Sequence, residues 1–150
     1  KAPEILLGDD KYDEKIDIFS LGLVFAELIL GRPLFSANTD AEMLYEMFSL
    51  LGSPTQNTWP WAWDLAYEIG FKFPKLTERS LKNVFNEEND LATDEIIDLL
   101  YKMLMPNPDF RYSAEKCMSH PFFDDMNEMD KMNKNKDSYF DTNGDKKNID

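Results

Sequence analysis

Cysteine, histidine and basic charge are all scarce in this chain of 150 residues, and each scarcity closes off a class of function. The single cysteine, Cys117, cannot form an internal disulfide and matches no spaced metal-ligand pattern, so the expected setting is reducing and intracellular, in nucleus or cytoplasm. Its side chain reads as a small buried apolar group. Lysine and arginine number 16 against 29 Asp and Glu, a formal net charge of -13. Such a surface repels phosphate backbones and anionic lipid, which argues against nucleic-acid or membrane binding as a main function and suits basic peptides or proteins as partners. Long hydrophobic runs are missing too. The most apolar stretch, Ile16 to Leu30, has eleven apolar positions of fifteen, carries Asp17 and Glu27, and stops at Gly31 and Pro33. A membrane span needs roughly 18 or more. No targeting signal or internal repeat is visible, and the opening on Lys1 rather than methionine reads as a start within a longer protein.

What is present is enough for a core: 43% of the residues are hydrophobic and 13% aromatic. The Ile16–Leu30 run is apolar nearly all round and predicts a buried central helix, with Asp17 as a short N-terminal cap and Gly31 as its stop. Thr39 and Glu42 have the spacing of a capping box, and Met43, Leu44, Met47, Phe48 and Leu51 continue a helix that Gly52 and Pro54 close. A third helix is expected from about Asp94 to Leu104, with acids in its first turn, Lys102 in its last and Pro106 beyond. Ser113 can cap a fourth, which ends before Pro121. Between them, residues 53 to 92 form a long connection with short helices, in which Trp59, Trp61 and Trp63 serve to pin irregular backbone to the core. Met43, Met47, Met103 and Met118 read as core filler. After Asp125 the composition turns to Asn, Lys, Asp and Met, so residues 126 to 150 are expected to be a disordered polar tail.

Four separated motifs stand in an order that resembles the eukaryotic protein kinases. Ala2-Pro3-Glu4, continuing Ile5-Leu6-Leu7-Gly8, is similar to the end of the activation segment in cyclin-dependent kinases. Asp17-Ile18-Phe19-Ser20-Leu21-Gly22 resembles the Asp-x-Trp-Ser-x-Gly that opens the family's central helix, with Phe19 in place of the tryptophan. Gly31-Arg32-Pro33-Leu34-Phe35, then Leu51-Gly52-Ser53-Pro54 and Trp59-Pro60, looks like the cyclin-dependent and mitogen-activated group. Pro108-Asp109-Phe110-Arg111-Tyr112-Ser113-Ala114 and His120-Pro121-Phe122-Phe123 are similar to the end of the kinase domain.

The resemblance implies a mainly α fold: the C-terminal, large lobe of the protein kinase fold over residues 1 to 125, without the N-terminal lobe and catalytic loop. It implies that Glu4 and Arg111 form a buried ion pair, a task that suits the planar fork of arginine. It implies that Asp17 holds catalytic-loop backbone. Lys1 takes the place of the arginine usual in cyclin-dependent kinases, near the pocket for the residue after the phosphorylated one. Lys1, Ala2, Pro3, Glu4, Asp17 and Arg111 are thus expected to be scaffold and substrate-platform residues. For an intact parent the resemblance implies ATP and Mg2+, Ser/Thr protein substrates, a cyclin and a small adaptor subunit. The adaptor stretch corresponds to residues 36 to 46, where Ser36-Ala37-Asn38-Thr39-Asp40 departs from the usual Gly-Asp-Ser pattern.

Phosphoryl transfer in kinases needs a Gly-rich loop, a lysine on the third strand, a catalytic Asp and Asn, and a magnesium-binding Asp before Phe-Gly. In this family all of them precede Ala-Pro-Glu, and none is in this chain. No catalytic, cofactor-binding or metal residue is therefore assigned. His120 lacks a nucleophile partner and reads as structural. Asp141, Asn143 and Asp145 imitate the opening of a calcium loop, but Lys146 stands where glycine is required. Two readings stay open: a piece of a Ser/Thr kinase that is inactive alone, and a non-catalytic interaction module derived from a kinase lobe.

Overall fold

The computed structural model describes residues 1–86 and 92–124, and in them the chain is helical with no strand. Seven α-helices follow one another: α1 (Pro3–Leu6), α2 (Lys15–Leu30), α3 (Asp40–Leu51), α4 (Pro60–Glu68), α5 (Leu81–Asn86), α6 (Asp94–Met103) and α7 (Ala114–Met118), ahead of a 3-10 turn at Pro121–Phe123. The expected polar tail, 126–150, lies outside the described residues. No described helix is long and apolar enough to cross a membrane.

Local chemistry accounts for most of the helix ends. The Thr39 side chain accepts from the Glu42 N–H while the Glu42 carboxylate accepts from the Thr39 N–H, so the capping box is complete. Thr93 and Ser113 cap α6 and α7 in the simpler way, each hydroxyl accepting the N–H three residues on. Gly31 ends α2 at φ 69°, and its N–H bonds back to the Glu27 carbonyl.

Two expectations about α2 need correcting. Asp17 is not its cap: the helix starts at Lys15, Glu14 is the N-cap residue without a side-chain bond, and the Asp13 carboxylate accepts the Lys15 N–H at 2.9 Å. A carboxylate two residues ahead of the first helical N–H reaches it directly, and Asp17 lies exposed in the first turn, where its charge meets the positive end of the helix dipole. Nor is α2 buried all round. Phe19, Gly22 and Ala26 face the core, but Leu21, Val24 and Leu28 are 56%, 53% and 76% exposed. The other described elements coat only one side of this helix.

On the covered side, α2 crosses α6 at Gly22. A β-carbon there would lie 3.0 Å from Leu104 Cδ2 and 3.1 Å from Met103 Cβ, so the glycine permits the close approach. The main core gathers Phe19, Leu44, Met47, Phe48, Trp59, Phe85, Leu100 and Leu104, and a smaller cluster joins Ile18, Leu99, Met103 and Cys117. Cys117 is buried, and desolvation raises its thiol pKa. Of the methionines read as filler, Met47 and Met103 are buried and Met43 half-buried, whereas Met118 is 55% exposed on the open side of α7.

The tryptophans pin the long connection as expected. Trp59 is enclosed, Trp61 meets it edge-on at 5.1 Å, and Trp63 packs on Phe73, which itself contacts Phe48 at 5.3 Å. Gly52 aligns this connection. At φ 80° it lets Ser53 N–H reach the Leu76 carbonyl and Arg79 N–H the Leu50 carbonyl, and a β-carbon on it would stand 3.0 Å from the Glu78 backbone nitrogen. Gly31, by contrast, has nothing within 4 Å of that position. Gly31→Ala should therefore cost only the left-handed strain, about 1 to 2 kcal/mol, and Gly52→Ala distinctly more, because backbone must also move. Urea melts of the two variants check the order, and an equal loss would mean that the 50–53 and 76–79 segments do not abut.

Candidate functional site

The side chains with the densest polar network sit where the two ends of the described chain meet. Arg111 is 2% exposed and Glu4 1% exposed, and the guanidinium takes the carboxylate with two parallel bonds, Nη1 to Oε1 at 2.6 Å and Nη2 to Oε2 at 2.8 Å. Three carbonyls accept its other donors: Met105 from Nε, Lys15 from Nη1 and Pro106 from Nη2, each at 2.9 Å. An arginine has five N–H donors, and here every one is used. The Phe19 ring lies under the guanidinium carbon at 4.9 Å, so the residue in place of the usual tryptophan still offers a π face.

Each partner is placed by its local sequence. Pro3 opens α1 with a preset φ and no N–H to satisfy, which puts Glu4 in the first turn, and the Glu4 carbonyl accepts from Asp9 N–H to close the turn that follows. Ala2 and Leu7 on either side are buried. Arg111 ends a tight loop held by Asn107, which the sequence reading missed. Asn107 is 7% exposed; its carbonyl accepts from the Arg111 N–H, its Oδ1 from Asp109 N–H, and its Nδ2 donates to the Thr58 carbonyl. The signal was legible, since Asn before proline is a turn former whose side chain bonds its own backbone two residues on. Lys15 Nζ adds a bond to the Pro108 carbonyl at 2.8 Å.

Of the residues singled out in the sequence, Ala2, Pro3, Glu4 and Arg111 come together in this cluster. Lys1 and Asp17 do not join it. Lys1 reaches Asp40 at the start of α3, at 3.2 Å, in a pair 62% and 63% exposed, and Asp17 makes no side-chain hydrogen bond among the described residues. His120 is structural: its Nε2 pairs with Asp98 and its Nδ1 accepts the Phe122 N–H. No group of three or more His, Cys, Asp or Glu side chains converges as a metal site among the described residues.

Residues 1–123 match the protein kinase domain model. The chain belongs to the protein kinase family. It is 39% identical over 123 residues to the serine/threonine-protein kinase ppk23 of Schizosaccharomyces pombe, covering 82% of this chain and 30% of that protein. It is 38% identical to the cell division control protein 2 homolog 2 of Trypanosoma brucei brucei, over 85% of this chain and 36% of that one, and 37% identical to the cyclin-dependent kinase B2-1 of Oryza sativa subsp. japonica, over 85% and 37%. The chain thus spans about a third of the length of the curated relatives it matches, and its likeness within the family is to cyclin-dependent kinases.

Removing one partner of a desolvated pair strands the other, at a cost of about 3 to 5 kcal/mol, whereas an exposed pair such as Lys1–Asp40 is worth about 0 to 1 kcal/mol. Glu4→Gln and Arg111→Met should each approach the loss of the double variant in a thermodynamic cycle. Lys1→Ala should leave the melting midpoint nearly unchanged. Additive, sub-kilocalorie effects at Glu4 and Arg111 would contradict the geometry described.

Proposed function

We propose that this chain is the substrate-side, C-terminal helical lobe of a cyclin-dependent-kinase-like Ser/Thr protein kinase, and that the parent transfers the γ-phosphate of ATP to protein hydroxyls. The observation that carries the reading is the Glu4–Arg111 pair, 107 positions apart in sequence and bonded through two oxygens. It locks the Ala-Pro-Glu turn to the last helices, so that whatever backbone enters at Lys1 is presented at a fixed place and angle. In this reading Lys1 is the exposed part of the floor that a protein substrate meets, the buried Ala2, Pro3 and Glu4 support it from beneath, Arg111 anchors that support, and Asp17, exposed in the first turn of α2, holds backbone from elsewhere in the parent.

The residues of this chain do not fit Mg-ATP. They include no Gly-rich phosphate loop, no lysine strand and no Asp-Phe-Gly. Its part in phosphoryl transfer is positioning alone. The outer face of α2 supports the same reading, since Leu21, Val24 and Leu28 form an apolar strip of a kind that soluble proteins cover. The excess of acidic charge suits basic protein substrates.

Calorimetry on the 150-residue chain should give no heat with Mg-ATP and no phosphate transfer to Ser or Thr peptides. The protein translated with the reading frame upstream of Lys1 should show both. Micromolar ATP affinity in the shorter chain would overturn the division of labour proposed here. An upstream frame with none of the nucleotide-handling motifs would hand the assignment to a non-catalytic interaction module.

A further inference from the structure

Apart from the Glu4–Arg111 pair, the buried polar side chains among the described residues are Asn107 and His120, and His120 is the one whose bonding depends on its proton count. It is 6% exposed. Its Nδ1 accepts the Phe122 N–H at 3.2 Å, so in the neutral ring the proton is on Nε2, which donates to Asp98 Oδ2 at 2.9 Å. The first of these bonds starts the 3-10 turn at Pro121–Phe123. Proline has no N–H, so Phe122 is the first donor of the turn that needs a partner, and His120 is the partner it has.

That turn forms one wall of an apolar cleft. The Phe122 ring lies 5.6 Å from Phe25 of α2 and 4.8 Å from Phe123, and Phe123 packs on the Ile18, Leu99, Met103 and Cys117 cluster. Together with Leu21 and Leu28 these residues enclose about 360 Å³ beside α2.

We propose that His120 is a proton-operated latch: a second ring proton, taken from solvent onto Nδ1, turns the acceptor of the Phe122 N–H into a donor and releases the turn that walls the cleft. Nε2–H keeps its bond to Asp98 in both states, so only the cap is lost. The charged groups around the ring come from two helices. On α6, Asp98 attracts the charged ring, but its side chain is 55% exposed and its Oδ1 lies 3.9 Å from Lys102. Its pull is shared with Lys102, yet its bond to Nε2–H strengthens when the ring is charged. Glu95, on the same helix, is held below the usual carboxylate range by its own backbone N–H first and the Thr93 hydroxyl second, with His120 a lesser influence. On α7, Glu115 and Lys116 line a hollow that His120 also borders, and their charges oppose one another. Asp98 thus favours the second proton through a bond of 2.9 Å, and the clash of two donors at Nδ1 is what that proton does to the turn.

His120 is the sole histidine, so its ring signals in an NMR titration of the 150-residue chain from about pH 8 to about pH 5 are unambiguous. At the upper end Nδ1 should be unprotonated and the Phe122 amide protected from exchange. As the ring titrates, that protection, corrected for intrinsic rates, should fall about fivefold or more, the range a helix cap commands. His120→Asn, which keeps an acceptor near the Nδ1 position, should stay protected at both ends. His120→Gln, which reaches toward Asp98 without supplying that acceptor, should be unprotected at both. An Nδ1–H tautomer at high pH, protection that persists while the ring titrates, or an Asn variant that loses it in parallel with wild type would each overturn the latch. The wild-type series decides alone if neither variant folds.

Discussion

One guanidinium holds three stretches of this chain in register. Arg111 takes two oxygens from α1, a carbonyl from the first turn of α2 and two carbonyls from its own loop, so removing it would free all three together. A buried ion pair is ordinarily poor value, because desolvating two charges costs as much as their attraction returns. Here the balance shifts for a geometric reason: no donor of Arg111 is left over, and Phe19 covers the face of the fork. The four residues of α1 could not hold a helical turn by themselves, since helix nucleation is unfavourable at that length. Their conformation is borrowed from the pair.

The same cluster sets the direction of α2. Lys15 contributes its carbonyl to Arg111 and its ammonium to the Pro108 carbonyl, so the first residue of the helix is fixed from both sides. Four residues on, Phe19 supports the guanidinium, and at Gly22 the helix drops against α6. Lys15, Phe19 and Gly22 thus form a run of contacts along one face of the helix. Its opposite face, with Leu21, Val24 and Leu28, meets nothing comparable among the described elements. Burial of a leucine is worth roughly 1.5 to 3 kcal/mol, which α2 realises on one side only.

Sequence legibility followed the range of the interaction. Thr39–Glu42, Ser113 and Gly31 were readable because a cap is decided within four residues, and α3 and α7 begin, and α2 ends, where those signals put them. The Glu4–Arg111 contact was legible only through resemblance, since no local rule links positions 107 apart. Three things lay beyond local signals. Asp13 rather than Asp17 bonds the first N–H of α2, a competition between neighbouring carboxylates that depends on backbone angles. Asn107 carried a turn signal, but its burial follows from the Thr58 carbonyl across the fold. Periodicity also could not tell that α2 would be covered on one face, because a pattern apolar all round records what a helix is able to bury and says nothing of which neighbours are there to bury it.

Two buried polar side chains end up with opposite characters, and the difference lies in donor arithmetic. A guanidinium offers donors only and is charged at any pH a protein meets, so a site built around it, such as the one at Arg111, is fixed once its acceptors are in place. An imidazole offers one donor and one acceptor when neutral, and His120 uses both, the donor on Asp98 and the acceptor under Phe122. The first kind of site suits a joint that must never open, and it stands where α1 is tied to the loop before α7. The second stands at the last turn of the described chain, where the side chain that caps the wall of an apolar cleft does so through one accepted hydrogen bond. Permanence and responsiveness are thus separated in space by the choice of side chain alone.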